Sequence, residues 1–308
     1  MDPDVRNTVP EILYHYTTQI GFLGIIQSKS IWGTDMRYLN DKREYLVAME
    51  LLTERVTRFV DGPAQGSPQF LFLEKLQARL TNIWSWPFFV ASFSADGDLL
   101  SQWRGYGHEG GYALGFRSEV LVDQLRAQDW TLASCVYDRE QQLALLDQML
   151  VQSIAMLQDH DSAPIDEPTC AQPAPSDTFP RPSFDPEALF PLPRTAPEWM
   201  TAPFRNLTST FRLNGPRIKD QTFREEKEWR AISSADTFGL VKVRPGAGVL
   251  RPYIPLSLDA AMPLMLAELV VGPSGHQDLA EQAARAALDQ HQIYCENLRL
   301  SKVPYRDW

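Results

Sequence analysis

The stretch ILYHYTTQIGFLGIIQSKSIW, residues 12–32, places a short strand directly before an apolar helix. The branched and aromatic residues of Ile12–Tyr16 are typical of a strand. Thr17 or Thr18 is placed to cap the helix that follows. The apolar residues of this helix predict one buried face, made of Ile20, Leu23 and Ile26 and broadened by Phe22 and Ile25. His15 at the strand end is then either a packed residue or the polar floor of a binding site.

Helical and strand patterns alternate outward from this start. Apolar residues at helical spacing with charges opposite predict two amphipathic helices, with the stripes Tyr45, Ala48, Met49, Leu52, Val56 and Phe59, and Leu73, Leu76, Leu80 and Ile83. Strands are predicted in FFVASFS (88–94), GGYALGF (110–116) and WTLASCVY (130–137), and a helix over 139–158. Later strands are predicted in EWRAISS (228–234), FGLVKVRP (238–245), GVLRPYIPL (248–256), 269–271 and NLRLSKV (297–303), with a helix over 277–290. The order predicts a mixed α and β fold.

Residues 160–203 interrupt this order with 11 of the 23 prolines. Each proline removes a backbone donor and fixes φ, so regular structure is not expected there. The segment is an insertion or long loop, and either a spacer or a lid or partner-binding segment.

Composition limits the classes of function. With 308 residues, 44% of them apolar, the chain is long enough for a compact globular protein. A net charge of −10 argues against broad electrostatic binding to nucleic acid or a membrane, although a local basic groove stays open. Three separated cysteines, no membrane-length apolar run and no signal peptide in MDPDVRNTVPEIL lead us to expect a cytoplasmic protein.

Several common site motifs are missing or out of context. GYGHEG (105–110) has the letters of a dinucleotide-binding loop, but a helix-like segment precedes it and a strand-like segment follows, which is the reverse of a Rossmann unit. P-loop and nucleophile-elbow patterns are absent from the sequence. The five histidines lack metal-ligand spacing, so no metal is expected.

FREEKEWRAI (223–232) places a run of glutamates at the entrance of a strand. Glu226 and Glu228, two residues apart, are expected to point to the same side. The run is either a solvated charged surface or part of a site, where a carboxylate stabilises positive charge on a sugar as it does in glycoside hydrolysis. Asn40 and Asp41 are explained equally well as a helix cap.

Blocks spread over nearly the whole chain resemble the bacterial domain-of-unknown-function family 2971. They are LYHYTTQIGFLGIIQSKSIWGTDMRYLND, SFSADGDLLSQWRGYGHEGGYALGF, FREEKEWRAI and SKVPYR, and they occur in the family's order. This resemblance implies a family and no activity.

The layout is also similar to that of ADP-ribosyltransferases. These enzymes have an early strand with His-x-Thr, a middle aromatic block and a late strand entered by E-x-E; here His15 and Thr17, then Trp103 or Tyr106, then Glu226-Lys227-Glu228 match in turn. The resemblance implies that His15 and Thr17 contact the NAD ribose and that Trp103 or Tyr106 stacks on nicotinamide.

The same resemblance makes Glu228 the catalytic candidate, with Glu226 beside it. Ser92-Phe93-Ser94 resembles the S-T-S of the arginine-type transferases, with phenylalanine in place of threonine, and suggests Ser94 as a contact. Arg104 or Arg230 is the expected contact of the pyrophosphate. The alternative for each arginine is an ordinary surface or salt-bridging residue, which is the more common role.

The sequence therefore predicts a single α+β domain over residues 1–308, with the split, mostly antiparallel sheet of ADP-ribosyltransferases, helices around it and the 160–203 insertion. We expect NAD as substrate, no metal, no membrane, and a macromolecular target that is protein or nucleic acid. A bacterial toxin or phage-defence effector fits this chemistry. The alternatives are a non-catalytic nucleotide- or partner-binding module and a metal-independent nuclease on the same scaffold.

Overall fold

The computed structural model describes residues 9–39, 42–80, 87–107, 110–157, 198–233, 240–246, 248–259 and 262–304. The chain divides into two compact units, one of Met1–Glu44, Phe88–Tyr137 and Pro216–Trp308, the other of Tyr45–Pro87 and Asp138–Gly215. We call them the sheet unit and the helical unit. The expectation of a single domain stays a prediction.

The sheet unit alternates strands with short helices. Its strands are β1 (Ile12–Thr18), β2 (Ser30–Asp35), β3 (Phe89–Ser94), β4 (Gly111–Arg117), β5 (Trp130–Ser134), β6 (Glu228–Ser233), β7 (Lys242–Pro245), β8 (Leu250–Ser257), β9 (Leu266–Val271) and β10 (Asn297–Leu300). Its helices are α1 (Gln19–Ser28), α4 (Leu100–Tyr106), α5 (Ser118–Arg126), α8 (Met262–Met265) and α9 (Gln277–Gln290). Gln221–Glu226 forms a 3₁₀ turn before β6. The mixed α and β fold expected from the sequence is confirmed.

The first helix begins where the sequence predicts and buries part of the predicted face. Thr18 is the N-cap, and its side chain accepts a hydrogen bond from the Gly21 N–H. The buried residues are Phe22, Ile25 and Ile26, whereas Ile20 is 84% exposed. The predicted face is therefore confirmed at Phe22, Ile25 and Ile26 and was wrong at Ile20 and Leu23. The ring of Phe22 stacks on Tyr112 of β4 at 4.4 Å, so contact with the sheet selects the buried face.

Ten strands of the described residues form one sheet. A continuous path runs β10-β9-β4-β1-β3-β2-β8-β7, and β6 pairs with β3 and β5. Only β9 and β10 pair in parallel among the described strands; the other pairs are antiparallel. A mostly antiparallel sheet is thus confirmed.

The sheet splits at β3, because two strands share one of its edges. Val90 pairs with Thr34 of β2 and with Ile232 of β6, and Ser94 pairs with Tyr14 of β1 and with β6. A strand has only two edges, so β1 and β2 both lie on the edge opposite β6. They occupy opposite ends of that edge.

His15 lies in this fork between β1 and β2. Its Nδ1 is 2.9 Å from the carbonyl oxygen of Ser92, in the middle of β3. Because a carbonyl only accepts, Nδ1 carries the proton and donates. The ring of His15 also contacts that of Phe93, with centroids 5.7 Å apart. The side chain therefore supplies a hydrogen bond that the diverging strands do not make.

Strand pairing assigns side chains to two faces of the sheet. The core face carries the large apolar cluster, including Leu13, Phe93, Leu114, Trp229 and Ala231. Paired residues share a face, so the opposite face carries Tyr14, Ser94 and Glu228. We call it the Glu228 face. His15 and Thr17 alternate with Tyr14 and Tyr16 and lie on the core face.

The helical unit contains α2 (Lys42–Val60), α3 (Pro68–Leu80), α6 (Arg139–Ala155) and α7 (Glu198–Asn214). Ala48, Met49, Leu52 and Val56 of α2 are buried, as the sequence predicts. Arg55 donates to Asp147 of α6 at 2.5 Å and 2.6 Å. Phe72 of α3 packs on Phe204 of α7, with ring centroids 4.7 Å apart.

Helix α7 corrects the predicted end of the proline-rich segment. Residues 198–203 belong to this helix, and Pro203 lies inside it. The helix buries Met200, Phe204, Leu207 and Phe211, a spacing of four, three and four residues. Those contacts stabilise the helix, although the nearby prolines led to the prediction of an irregular segment. The rest of the segment, residues 160–197, lies outside the described residues, as do Asn40, Asp41 and Ile83.

We expect His15→Ala to lower the free energy of unfolding by about 1–3 kcal/mol, because the Ser92 carbonyl loses its donor. His15→Asn, whose amide can donate at a similar position, should restore part of that loss. Urea unfolding of the three proteins measures the effect. Equal stability of His15→Ala and the wild type would show that the fork needs no donor.

Candidate functional site

Glu228, the first residue of β6, is the most unusual carboxylate of the sheet unit. It is 5% exposed. Its Oε1 accepts a hydrogen bond of 2.7 Å from Nε of Arg230, and its Oε2 accepts one of 3.1 Å from Nη2. The Nζ of Lys219 donates to the same Oε2. Two buried cations therefore surround one buried carboxylate.

A sharp turn brings Glu226 to the same ammonium group. The Asp220 side chain caps the 3₁₀ turn Gln221–Glu226, and Lys227 then adopts a left-handed conformation with φ of 45° and ψ of 47°. After this turn Lys219 donates to Glu226 at 2.6 Å as well as to Glu228. The two glutamates do point to the same side, where they share Lys219. The side chain of Glu226, 18% exposed, lies nearer the surface than that of Glu228.

Charge, and not burial, decides the ionisation of Glu228. Burial alone would raise its pKa, but the charges and hydrogen bonds of Arg230 and Lys219 lower the pKa to about 2. The carboxylate is therefore ionised at neutral pH. Its backbone N–H donates to the hydroxyl of Tyr137 at 2.8 Å, which fixes the start of the strand.

Arg230 is anchored from its other end as well. It is 1% exposed, and its Nη1 donates to the carbonyl of Pro216 at 2.7 Å. Hydrogen bonds to Glu228 and to Pro216 thus fix the position of the Arg230 guanidinium. This position differs from the pyrophosphate contact that the resemblance suggests, because the guanidinium already binds a carboxylate and a carbonyl.

Ser94 joins the turn to the sheet. It pairs with Glu228 across β3 and β6. Its hydroxyl donates to the backbone carbonyl of Glu226 at 2.7 Å and accepts from the Asp96 N–H at 3.1 Å. Ser94 therefore positions the segment that carries both glutamates.

His15 and Thr17 are not brought to this cluster. Both lie on the core face, whereas Glu228 lies on the opposite face. Burial lowers the pKa of His15 below its ordinary value of 6.5, and the hydrogen bond to Ser92 offsets only part of this effect. His15 is consequently neutral at pH 7 and acts as a donor within the sheet.

The middle aromatic block divides into one packed and one accessible ring. Trp103 of α4 is buried, its ring meets Tyr16 edge to face at 4.8 Å, and its Nε1 donates to Asp98 at 2.8 Å. Tyr106 is 37% exposed, and Arg104 is exposed. Since Tyr16 belongs to the Glu228 face, α4 packs on that face. Tyr106 is the more accessible stacking candidate.

A second polar network on the Glu228 face was not foreseen from the sequence. Glu268 of β9 accepts hydrogen bonds from Tyr14 at 2.8 Å and from Arg299 at 3.1 Å. Asp98 binds Ser301 and accepts from the Lys302 N–H at 2.7 Å. Ser301 and Lys302, which follow β10, thus bind the loop before α4. No local pattern in the sequence marks these distant pairs.

Lys219 was also missed, and it is the residue on which the glutamate cluster depends. It stands seven residues before Glu226 in a segment without helical or strand periodicity. Its ammonium lies 5.0 Å from the ring centroid of Phe223, and the residue is 4% exposed. A buried lysine is rare unless it is paired, so a lysine close to an E-x-E pattern is the available signal.

Two further features, a metal site and a membrane-spanning helix, were also sought in the part of the chain that the structure describes. Within those ranges no group of three or more His, Cys, Asp or Glu side chains is placed to hold a metal ion. None of the helices described has the length and apolar character needed to span a membrane.

We expect the lowered pKa of Glu228 to appear in acid unfolding. Between pH 4.5 and about 2 the unfolded chain binds a proton that the folded chain excludes, so wild-type stability falls as the pH falls through this window. Glu228→Gln should lack that part of the pH dependence and lose about 3–5 kcal/mol at pH 7, because the buried Arg230 and Lys219 lose the carboxylate that they share. Urea unfolding at several pH values measures both effects.

Glu225→Gln is the matched control, since Glu225 is exposed and lies outside the cluster. It should follow the wild-type stability at every pH. Parallel pH curves for the wild type and Glu228→Gln would contradict the ionised, buried state of Glu228.

Comparison with known proteins gives one match. A family model described as Protein of unknown function (DUF2971) matches residues 102–231. The matched range contains Trp103, Glu226, Glu228 and Arg230 and leaves out His15. No curated protein and no solved structure matches the chain. The match supports the resemblance to this family, whose description carries no activity.

Proposed function

We propose that this protein is an NAD-dependent ADP-ribosyltransferase that modifies a macromolecule at the Glu226 and Glu228 cluster. One observation carries the proposal: an ionised carboxylate stands at the entrance of a strand that borders the split of an antiparallel sheet. The E-x-E pattern and Ser94, both suggested by the resemblance, meet at this place. The family match and the mixed α and β fold are compatible with the proposal.

Transfer of ADP-ribose from NAD requires few catalytic groups of the protein. The bond between nicotinamide and the ribose C1′ breaks, and its electron pair leaves with nicotinamide. A nucleophile of the target then attacks C1′ and releases its proton to solvent. Positive charge develops on the ribose between these events, and an ionised carboxylate stabilises that charge. Glu228 meets this requirement, because its pKa of about 2 keeps it negative.

The exposure of the two glutamates to solvent indicates a different role for each. Glu228 is nearly covered, whereas Glu226 lies nearer the surface. A ribose that reaches Glu228 has to displace the ammonium of Lys219 from it. Lys219 already has a second partner in Glu226, so the ammonium keeps one ion pair when it gives up the other. We therefore assign charge stabilisation to Glu228 and contact with an incoming hydroxyl to Glu226.

The remaining contacts come from the same face of the sheet. Helix α4 presents the exposed Arg104 and the partly exposed Tyr106, which are suited to a pyrophosphate and to a nicotinamide ring. Trp103 supports α4 from below through its contact with Tyr16. His15 and Thr17 keep a structural part in this proposal, since they lie on the other face. A toxin or phage-defence role would follow from modification of an essential bacterial molecule.

A second candidate is a non-catalytic binding module. The observation in its favour is that Glu228 is fully engaged by Arg230 and Lys219, as in a structural ion cluster. Such clusters also shift pKa values without any catalytic role. Under this alternative the protein keeps its fold and ligand affinity but does not consume NAD.

The deciding experiment measures release of nicotinamide and transfer of label from NAD by the purified protein mixed with bacterial lysate. We expect transfer by the wild type and a loss of about 100-fold or more in Glu228→Gln, because the charge that stabilises the transition state is removed. Glu226→Gln should lose activity while keeping the Lys219–Glu228 ion pair. It is therefore the variant to use if Glu228→Gln folds poorly.

Glu225→Gln controls for the removal of one nearby glutamate and should keep full activity. Circular dichroism and thermal unfolding show whether each variant is folded. No turnover by folded wild-type protein, with either protein or nucleic acid as acceptor, would overturn the transferase and leave the binding module.

A further inference from the structure

The hairpin β7–β8 and its neighbour β2 form a small platform that the glutamate site does not use. Register assigns its side chains to faces: Lys242 pairs with Tyr253, Arg244 pairs with Arg251, and Thr34 pairs with Tyr253. Trp32, two residues before Thr34, shares their side. One face thus carries three basic and two aromatic residues, which we call the basic-aromatic platform: Trp32, Lys242, Arg244, Arg251 and Tyr253.

The aromatic residues of the platform are held in place but not covered. The rings of Trp32 and Tyr253 lie 4.8 Å apart, inclined by 38°. The guanidinium of Arg244 lies 5.1 Å from the Trp32 ring centroid, and its Nη2 donates to Thr34 at 3.1 Å. Trp32 is nevertheless 37% exposed. A large aromatic ring that neighbours hold in place and that is partly open to solvent is a surface on which a planar group can stack.

The charges of the platform are not neutralised within the described residues. None of Lys242, Arg244 and Arg251 forms an ion pair with a carboxylate there. Burial lowers the pKa of Arg244, and the neighbouring Arg251 lowers it further, as expected for like charges side by side. The Nε of Arg244 is buried and has no acceptor in the described part of the chain. A chain of net charge −10 thus concentrates three basic side chains at one edge of its sheet.

We propose that the basic-aromatic platform binds single-stranded nucleic acid, with bases stacked on Trp32 and Tyr253 and phosphates held by Lys242, Arg244 and Arg251. Aromatic rings interleaved with cations are the combination that binds unpaired strands without sequence preference. In a duplex the bases already stack on each other and are not free to stack on the protein. An acidic protein segment would use the charges and leave the aromatic faces without a matching partner.

The edge strand β7 gives a further reason to prefer nucleic acid over an added peptide strand. β7 spans only four residues, Lys242–Pro245, and Pro245 has no N–H to donate. Short edge strands with lysine and proline resist pairing with another strand. The face of the hairpin, and not its edge, is therefore the surface that can take a ligand.

The platform lies on the same face of the sheet as Glu228. Thr34 pairs with Val90, and Val90 pairs with Ile232, which alternates with Arg230 and Glu228 along β6. A strand bound to the platform thus approaches the sheet from the side on which the glutamates lie. That this strand is the acceptor of ADP-ribose rests on the proposed function, whereas binding to the platform does not.

Fluorescence anisotropy of short labelled oligonucleotides tests the binding. We expect affinity for single-stranded RNA and DNA, weaker binding of duplexes, and none for a glutamate-rich peptide; comparison of the RNA and DNA arms identifies the preferred strand. Tyr253→Ala should weaken binding by about 10-fold or more, through the loss of one stacked base. Lys242→Gln with Arg251→Gln should weaken binding and reduce the slope of log K against log salt by about one to two.

Two control variants separate the platform from general effects. Arg285→Gln removes one exposed positive charge from α9 and should leave binding unchanged. Val243→Ser changes an exposed side chain on the opposite face of β7 and should do the same. Thermal unfolding shows whether each variant is folded. If Tyr253→Ala is not folded, the double variant Lys242→Gln with Arg251→Gln tests the platform in its place.

The outcomes distinguish this inference from the proposed function. Binding of single strands without label transfer from NAD would keep the platform and overturn the transferase. Transfer to proteins without affinity for any oligonucleotide would overturn the platform and keep the transferase. Equal binding by the platform variants and the wild type, or binding of the acidic peptide instead, would overturn the inference. Cleavage of the bound strand without NAD would show a nuclease in place of the transferase.

Discussion

The pairing of β3 is the constraint on which the rest of the sheet unit depends. β6 takes one edge of β3, and β1 and β2 divide the other, so the sheet opens into two arms. One arm continues through β4, β9 and β10, and the other through β8 and β7. His15 fills the fork with a hydrogen bond to β3 where the two arms separate. Because pairing also fixes side-chain direction, this one strand decides which residues share a face.

The Glu228 face buries charged groups, which are stable there only because they have polar partners. Removing charges from water is costly, and the attraction of an ion pair offsets that cost only when the hydrogen bonds are complete. Glu228, Arg230 and Lys219 meet this condition through three hydrogen bonds to the carboxylate and one to the carbonyl of Pro216. The result is a negative charge of fixed position and ionisation, which is useful both to a fold and to a reaction with a cationic transition state. Under the proposed function, the sharing of Lys219 with Glu226 lets these two uses coexist.

Local patterns predicted many of the elements. The strand at Ile12, the Thr18 cap, the helix α9 and the strand at Glu228 all follow from propensity, capping and period, which act over a few residues. β2, α5 and α7 were missed. In α7 the spacing of Met200, Phe204, Leu207 and Phe211 was a usable signal, but Pro203 and the prolines before it outweighed it. The buried face of α1 was predicted too broadly, because Ile20 and Phe22 are equally apolar and only the contact with Tyr112 separates them.

The candidate site shows the same division. By itself the sequence determined that Glu226 and Glu228 enter a strand on one side, that Ser94 lies in another strand, and that aromatic residues stand between them. Only the tertiary structure decided that Lys219 and Arg230 hold Glu228, that Trp103 is packed, and that His15 turns to the opposite face. Alternation along a strand is a local property, whereas the relative register of β1, β3 and β6 depends on contacts between residues more than 70 positions apart, as His15 and Ser92 illustrate. No short pattern encodes such a contact, because its energy arises only when the distant segments meet.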